Sequence, residues 1–174
     1  PMLMLEEVIE RYGDMLFRIC IVSLANRQDA EDALQETFLR YITRAPEFND
    51  TEHEKAWLIK VATNICKDLH RSIFRNTHMD IDEVGYFLAA EQKDEGTGIL
   101  EEVLKLKPKY REILILHYVE GYKIREIAQI LNISTQAAKK RLQYARDRLR
   151  VAADGDGGSK PPSPSASKEE DDEG

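Results

Sequence analysis

The sequence has few of the residues that interrupt helices or that build disulfide and metal sites. It contains nine glycines and six prolines, and Pro161, Pro162 and Pro164 lie close together near its end. The rest of the chain therefore favours helices. The two cysteines, Cys20 and Cys66, are far apart and have no second cysteine at metal-ligand spacing. We interpret them as reduced thiols in the core of a cytosolic protein.

The chain also lacks the run of about 20 apolar residues that a membrane-spanning helix needs, and no signal peptide opens it. We therefore predict a cytoplasmic protein that does not insert into membranes. The histidines are scattered, and no nucleophile–base pair or phosphate-binding loop occurs. The sequence thus predicts a binding protein with no catalytic residues, no metal and no cofactor. The histidines are His53, His70, His78 and His117.

Charge is distributed unevenly along the chain, whose net charge is −7. Residues 100–150 contain 12 Lys and Arg against 6 Asp and Glu, which gives this segment a net charge of +6. The other segments are acidic: −3 for residues 1–75 (10 against 13), −5 for 76–99 (1 against 6) and −5 for 151–174 (2 against 7). A basic segment of this kind is typical of proteins that bind nucleic-acid phosphates.

Apolar spacing and capping residues predict three long helices in the first half. The first has apolar side chains at helical spacing across residues 5–19. The second begins at the cap Asn26 and ends before Pro46. The third begins at Thr51, which precedes Glu54 by three residues as in a capping box, and continues to about residue 74.

The second half begins near residue 99 and has the pattern of three or four more helices. Residues 76–98 are acidic and indicate a linker. Residues 151–174 are rich in Gly, Ser, Pro and acids, without apolar periodicity, which predicts a disordered tail. We therefore predict an all-α fold of two small helical bundles, residues 1–75 and 99–150, with the linker between them and the tail after them.

A helix-turn-helix pattern lies near the end of the second bundle. A short amphipathic helix ends at Asn132, a residue type that tolerates the left-handed conformation. Ser134 is then a natural N-cap for a helix that starts at Thr135. The small Ala128 and the apolar Ile133 suit the tight packing of this motif.

On a wheel of 100° per residue, the helix from Thr135 onward has an apolar side, formed by Ala138, Leu142, Ala145 and Leu149, and a polar side. The polar side has the chemistry to enter a major groove, because Lys donates to guanine or phosphate and Gln pairs with adenine. A solvated basic helix in an ordinary bundle is the alternative. The polar residues are Gln136, Lys139, Lys140, Gln143 and Tyr144.

The third predicted helix is divided in the same way. Trp57 lies at the edge of a polar stripe formed by Lys60, Asn64, Lys67 and Arg71. Cations that follow phosphates, beside an aromatic ring that stacks on exposed bases, suit single-stranded DNA. A core tryptophan beside a solvated basic face is the alternative explanation of the same residues.

The second predicted helix has an acidic and amide face. Such a face in a nucleic-acid-binding chain favours a protein partner, although acids also stabilise a helix N-terminus. Its residues are Asp29, Glu31, Asp32, Gln35 and Glu36.

Together these segments resemble the extracytoplasmic-function (ECF) sigma factors of bacterial RNA polymerase. The first half contains DAEDALQETFLRYI (29–42) and AWLIKVATNICKDLHR (56–71). The second half contains LKPKYREILILHYVEGYKIREIAQILNISTQAAKKRLQYARDRLR (106–150). The resemblance covers about residues 5–75 and 99–150.

The resemblance implies an alternative sigma factor that directs promoter recognition and opening, with core RNA polymerase, promoter DNA and an anti-sigma factor as partners. It assigns contact with the polymerase clamp helices to Asp29, Asp32, Gln35 and Glu36. It assigns the −10 element to Asn49, Asp50, Thr51, Glu52, His53, Glu54, Trp57, Lys60, Asn64, Lys67 and Arg71. It assigns the −35 element to Gln136, Lys139, Lys140, Arg141, Gln143 and Tyr144.

Several positions depart from the usual pattern of the family. Asn132 stands where Gly is common, Ala137 and Ala138 replace a frequent Thr-Val, and Tyr144 replaces a frequent Arg. The preferred −35 sequence therefore cannot be predicted. An autonomous helix-turn-helix regulator would not need the acidic face. A polymerase-binding or sigma-sequestering protein would not need the basic helix.

Overall fold

The computed structural model describes the backbone of residues 2–72 and 97–153 and the side chains of residues 4–70 and 101–150. Every regular element in these ranges is a helix, which confirms the predicted all-α fold. The helices form two groups, one on each side of residues 73–96. No helix in the described ranges is both long and apolar enough to span a membrane.

The first bundle consists of α1 (Met2–Leu24), α2 (Arg27–Arg44) and α3 (Thr51–Ser72). Each helix packs on the other two. Apolar side chains without exposed surface fill the space between them, among them Leu16 and Ile19 of α1 and Leu58 of α3. Each such burial stabilises the fold by about 1.5–3 kcal/mol. Cys20 and Cys66 are free, buried thiols in this core, as predicted.

Two residues connect α1 to α2. Ala25 has a φ of 52°, a left-handed conformation that costs a non-glycine residue about 1–2 kcal/mol. It is buried in the core, which offsets part of that cost. Asn26 is the N-cap of α2, and its side-chain oxygen accepts a hydrogen bond from the backbone nitrogen of Asp29 at 3.0 Å. The predicted cap is confirmed.

The second bundle consists of α4 (Thr97–Lys105), α5 (Pro108–Leu114), α6 (Ile124–Leu131) and α7 (Thr135–Ala153). Pro108 occupies the first turn of α5, where its missing N–H leaves no hydrogen bond unmade. A π-helical turn, Ile115–Val119, follows α5 directly. The chain then turns at Gly121, whose φ of 75° favours a residue without a Cβ.

The helix-turn-helix has the predicted geometry. Asn132 has φ 55° and ψ 48°, the left-handed conformation that ends a helix. The next backbone nitrogen, that of Ile133, donates to the carbonyl oxygen of Ala128 at 3.0 Å. Ser134 Oγ accepts a hydrogen bond from the backbone nitrogen of Ala137 at 3.0 Å and caps α7. The two helices of the motif are therefore held at a fixed angle by local hydrogen bonds.

The two bundles pack against each other. Helix α1 contacts α5 and the π-helical turn, and α3 contacts α6. One cluster of buried apolar side chains extends through both bundles. Most of the predicted linker (76–98) and tail (151–174) lies outside the described residues, since residues 76–96 and 154–174 are not described. Residues 97–98 belong to α4, and residues 151–153 belong to α7.

Candidate nucleic-acid interface

Helix α7 presents the polar side that the sequence predicted for DNA. The side chains of Gln136, Lys139, Lys140 and Gln143 are exposed. On the opposite side of the helix, Ala138, Leu142 and Ala145 are buried against α5 and α6. This packing fixes the axis of α7, so the four polar side chains project from a rigid element. Lys and Gln in this arrangement can donate to phosphates and to base edges.

Two of the predicted −35 residues are partly covered by their own bundle. The Tyr144 ring packs on the Tyr110 ring, with 4.4 Å between centroids and 33° between planes. The guanidinium of Arg148 lies 5.9 Å from the Tyr144 centroid. Arg141 is half-buried. Burial raises the pKa of Glu112, and the charge of Arg141 opposes this rise. A contact between DNA and Arg141 or Tyr144 stays a prediction.

The polar stripe of α3 is also exposed. Lys60, Asn64 and Lys67 face solvent, whereas Leu58 and Ile65 on the other side are buried. The side chain of Arg71, which was assigned to the same stripe, lies outside the described residues. Two cations and one amide thus follow one line along a helix that is anchored in the core.

Trp57 belongs to an aromatic cluster at the start of α3. The Phe48 ring lies 5.7 Å from the Trp57 ring and 6.2 Å from the Tyr41 ring, centroid to centroid. Tyr41 Oη donates a hydrogen bond to Glu54 Oε2 at 2.9 Å. Burial, together with that carboxylate, raises the pKa of Tyr41 to about 12. Trp57 is half-buried, so it serves the core and still has an exposed edge.

The loop before α3 is held by its own side chains. Asp50 Oδ1 accepts a hydrogen bond from the backbone nitrogen of His53 at 2.7 Å. Asp50 therefore caps α3, although the sequence pattern had suggested Thr51. His53 Nδ1 accepts from the backbone nitrogen of Asn49 at 3.2 Å, and its ring lies edge-on to Phe48 at 5.3 Å. Asn49, Thr51 and Glu52 are exposed. Sequence analysis missed the supporting role of Phe48, which only the spacing of aromatic residues around it could have suggested.

The predicted protein-binding face lies on α2. Asp32 and Gln35 are exposed, whereas Asp29 and Glu36 are half-buried. Asp32 Oδ1 accepts a hydrogen bond from Gln28 Nε2 at 3.2 Å, and Glu36 pairs with Arg40 at 3.0 Å. Burial, with a smaller contribution from Asp32, raises the pKa of Asp29.

Two large apolar side chains extend this face and were not predicted. Leu39 is 53% exposed and Ile42 is 60% exposed. Asp32, Gln35, Leu39 and Ile42 are separated by three or four residues in turn. All four therefore lie on one side of α2. Exposed apolar residues beside polar ones are typical of surfaces that bind proteins. The face therefore combines charge with apolar area.

Both bundles match known family models. Residues 8–75 match the model described as Sigma-70 region 2, and residues 98–149 match the model described as Sigma-70, region 4. The chain is similar to the ECF RNA polymerase sigma factor SigM of Bacillus subtilis, with 31% identity over 153 residues that cover 84% of this chain and 93% of the relative. It is also similar to the ECF RNA polymerase sigma factor SigL of Mycobacterium tuberculosis, with 30% identity over 158 residues that cover 85% of this chain and 88% of the relative.

Solved structures share the fold. The sigma factor RpoE of Bartonella quintana, in complex with the anti-sigma factor NepR, has a TM-score of 0.67 at 19% identity, covering 87% of this chain and 97% of that one. CnrH, in complex with the cytosolic domain of CnrY, has a TM-score of 0.66 at 23% identity, covering 90% of this chain and 91% of that one. These likenesses extend over both bundles.

Proposed function

The chain belongs to the ECF family of RNA polymerase sigma factors, and we propose that three surfaces of its two bundles carry out the work of this family. A sigma factor binds core RNA polymerase and directs it to promoters. Members of the family are regulatory proteins rather than known enzymes, so these surfaces bind and do not catalyse. The place of action is the cytoplasm, where the polymerase works.

The observation that carries the proposal is the exposed side of α7. It follows a helix-turn-helix turn and displays Gln136, Lys139, Lys140 and Gln143 on a helix fixed in the core. We assign this side to the −35 duplex. Phosphate contacts would set the register of the helix, and base-edge contacts would select the sequence. Arg141 and Tyr144 are assigned to the border of this surface, because both are half-buried.

The second surface consists of the α3 stripe and the loop before it, and we assign it to the −10 element. Opened DNA offers unstacked bases and a flexible backbone, which a cationic stripe and a fixed loop can hold. The aromatic cluster around Phe48 supports this assignment because it packs the loop against His53 and Trp57 of α3. Residues 49–54, Trp57, Lys60, Asn64, Lys67 and Arg71 belong to this surface.

The third surface is the α2 face, and we assign it to core polymerase. Asp29, Asp32, Gln35 and Glu36 supply charge and hydrogen bonds, and they would set orientation and specificity. Leu39 and Ile42 add the apolar area that a stable protein interface needs near its centre. We include an anti-sigma factor among the proposed partners, because the structural relative RpoE was solved in complex with one.

Run-off transcription tests the proposal. Core RNA polymerase should initiate at a cognate promoter only when this chain is added, and the transcript should begin at one defined position. A control reaction uses the chain with Lys139 and Lys140 replaced by Ala. Core polymerase that initiates equally with and without the chain, across a panel of promoters, would refute the proposal. DNA binding without any stimulation of core polymerase would favour an autonomous regulator.

A further inference from the structure

A buried polar contact joins the two bundles at the end of α1. Ser23 has no exposed surface, and its Oγ donates a hydrogen bond to Glu112 Oε1 at 3.1 Å. The Ser23 carbonyl oxygen accepts a hydrogen bond from Arg111 Nη2 at 2.5 Å. His70 Nε2 of α3 lies 3.4 Å from Ser23 Oγ. Arg111 and Glu112 are only 4% and 9% exposed, so the contact is shielded from water.

Two further contacts join the bundles away from Ser23. Arg18 Nη2 pairs with Glu120 Oε1 at 3.2 Å, and little of either side chain is exposed. The Lys55 ammonium lies 5.3 Å from the centroid of the Tyr122 ring. Helices α1 and α3 of the first bundle thus each hold the second bundle through charged or polar groups.

Polar contacts of this kind suit an interface that has to open. Burying ionisable groups costs desolvation free energy, which good hydrogen bonds repay only in part. We call the arrangement in which the two bundles pack against each other closed. Arg111 Nε and Tyr122 Oη are buried in it without a hydrogen-bond partner, which adds to its free-energy cost. Separation of the bundles would return these groups to water. The balance between closed and open forms is therefore closer than for a wholly apolar interface.

The closed arrangement is too short to contact both promoter elements. This step rests on the proposed function. The −35 and −10 positions are about 25 base pairs apart, which at about 3.4 Å per pair corresponds to roughly 85 Å. A compact chain of this length has a radius of gyration of roughly 16 Å and a diameter of roughly 40 Å. Contact with both elements therefore requires the bundles to separate and the interbundle contacts to break.

We propose that Ser23, Arg111 and Glu112 form a reversible interbundle latch, which keeps the free chain closed and has to break before the chain engages polymerase and promoter together. The Arg18–Glu120 ion pair supports the latch within the same interface. Arg111 has a second task, since its Nη1 donates to the carbonyl oxygens of Leu104 and Leu106 and so stabilises its own bundle. Tests should therefore change Ser23 and Glu120 and leave Arg111 intact.

The distance between the bundles tests the latch without any transcription. Spin labels at Glu10→Cys on α1 and Gln129→Cys on α6 occupy exposed positions, whereas the native cysteines are buried. Double electron–electron resonance should give one short, narrow distance for the otherwise unchanged chain. The variant Ser23→Ala/Glu120→Lys should give a broad, longer distribution, because it removes a hydrogen bond and sets a cation against Arg18.

Glu102→Lys is the matched control. It makes the same charge change at an ion pair that lies within α4, where Glu102 contacts Lys105 at 2.8 Å, and it should keep the short distance. Arg18→Gln is a second variant that leaves the buried Ser23 in place, for use if the double variant does not fold. A folded double variant that keeps the narrow distance would overturn the latch. A broad distribution in the unchanged chain would also overturn it.

Affinity for core polymerase tests the inhibitory role. If the open form is 10% populated, opening should raise the apparent affinity by up to about tenfold, since affinity scales with the competent fraction. Unchanged affinity in a variant shown to be open would overturn inhibition by the latch. Absence of binding by every version would instead refute the proposed function, and the distance measurement would still decide whether the latch exists.

Discussion

Glu112 is a carboxylate that is buried between the two bundles. Burial raises its pKa to about 7, although the Ser23 hydroxyl, Arg141, Arg111 and Lys67 all act to lower it. His70 of α3 faces the hydrogen bond between Ser23 and Glu112. Burial and the charge of Arg111 lower the pKa of His70. Groups from α1, α3, α5 and α7 thus determine the protonation of one side chain.

The Glu112→Gln substitution should make the protein more stable at pH 8. The unfolded carboxyl titrates near 4.5 and the folded one near 7. Between these values the folded state holds a proton that the unfolded state has released, so the free energy of unfolding falls as pH rises. Glutamine avoids this loss, which is about 3 kcal/mol at pH 8 and less than about 1 kcal/mol at pH 5. Urea unfolding at both pH values measures the difference.

Ser23→Ala is the comparison for this prediction, because it removes the hydrogen-bond donor and keeps the carboxylate. It should be less stable than the unchanged chain at pH 8, by about 1–3 kcal/mol, the cost of a lost hydrogen bond to a buried charged group. A Glu112→Gln chain that is less stable than the unchanged chain at pH 8 would contradict the proposed cost of the buried charge. The pKa of His70 is lowered mainly by burial and by the charge of Arg111, and Glu112→Gln leaves both in place.

At the scale of single helices, α7 makes the sharpest prediction. Replacement of Lys139 or Lys140 by Ala should weaken −35-dependent transcription by about 1–3 kcal/mol if the lysine contacts a base. Both side chains are exposed, so the fold should not change. Lys105→Ala on α4 removes an exposed lysine from another helix and should have little effect. Unchanged promoter use by both α7 variants would remove this helix from the recognition role.

Helix α2 makes a second prediction. Reversal of charge in Asp32→Lys/Glu36→Lys should lower affinity for core polymerase while the protein stays folded. Asp32 is exposed and the Glu36 side chain is 43% exposed, and changes at the surface usually cost under about 0.5 kcal/mol. Glu6→Lys/Glu7→Lys on α1 makes the same charge change at two exposed acids and should bind normally. Fluorescence titration against core polymerase measures the affinity of the α2 variant and of the α1 control. Normal affinity of the α2 variant would refute the assignment of this face.

The parts of the structure that sequence analysis predicted well are those governed by neighbouring residues. The Asn26 cap, the left-handed Asn132 and the Ser134 cap depend on hydrogen bonds that span three to five residues, so their sequence patterns suffice. The exposed side of α7 followed from helical periodicity for the same reason. At the start of α3 two residues could cap the helix, and the one that does so, Asp50, was not predicted.

Features that depend on distant parts of the chain were not predictable. A helical wheel places Tyr144 on the polar side of α7, but the Tyr110 ring of α5 partly covers it. The exposure of Leu39 and Ile42 follows from the absence of a neighbouring helix over that side of α2 in the described residues, which no local pattern reveals. Arg111 is charged and would be expected at the surface, yet it is buried where α1 meets α5.

At the scale of the whole molecule, we expect charge and shape both to limit binding of the free chain to DNA. The basic segment 100–150 carries +6, whereas the segments 76–99 and 151–174 each carry −5. Acidic segments tethered at both ends of the basic bundle can compete with DNA for its cations, at an effective concentration on the order of mM. In the closed arrangement the bundles also cannot hold both promoter elements at once. Polymerase would relieve both restrictions by separating the bundles.

The free chain should therefore bind promoter duplex weakly and with strong salt dependence, because affinity for duplex DNA depends on neutralised phosphates. Since α7 continues to Ala153, the tail is best removed from residue 154 onward, which deletes all seven acids of segment 151–174 and leaves the helix whole. This deletion should tighten binding measured by fluorescence anisotropy. A tail of the same length with its acids replaced by Asn and Gln should tighten it equally, which separates charge from length. If the full-length free chain binds its promoter with nanomolar affinity at physiological salt, masking is wrong and an autonomous regulator becomes the better explanation.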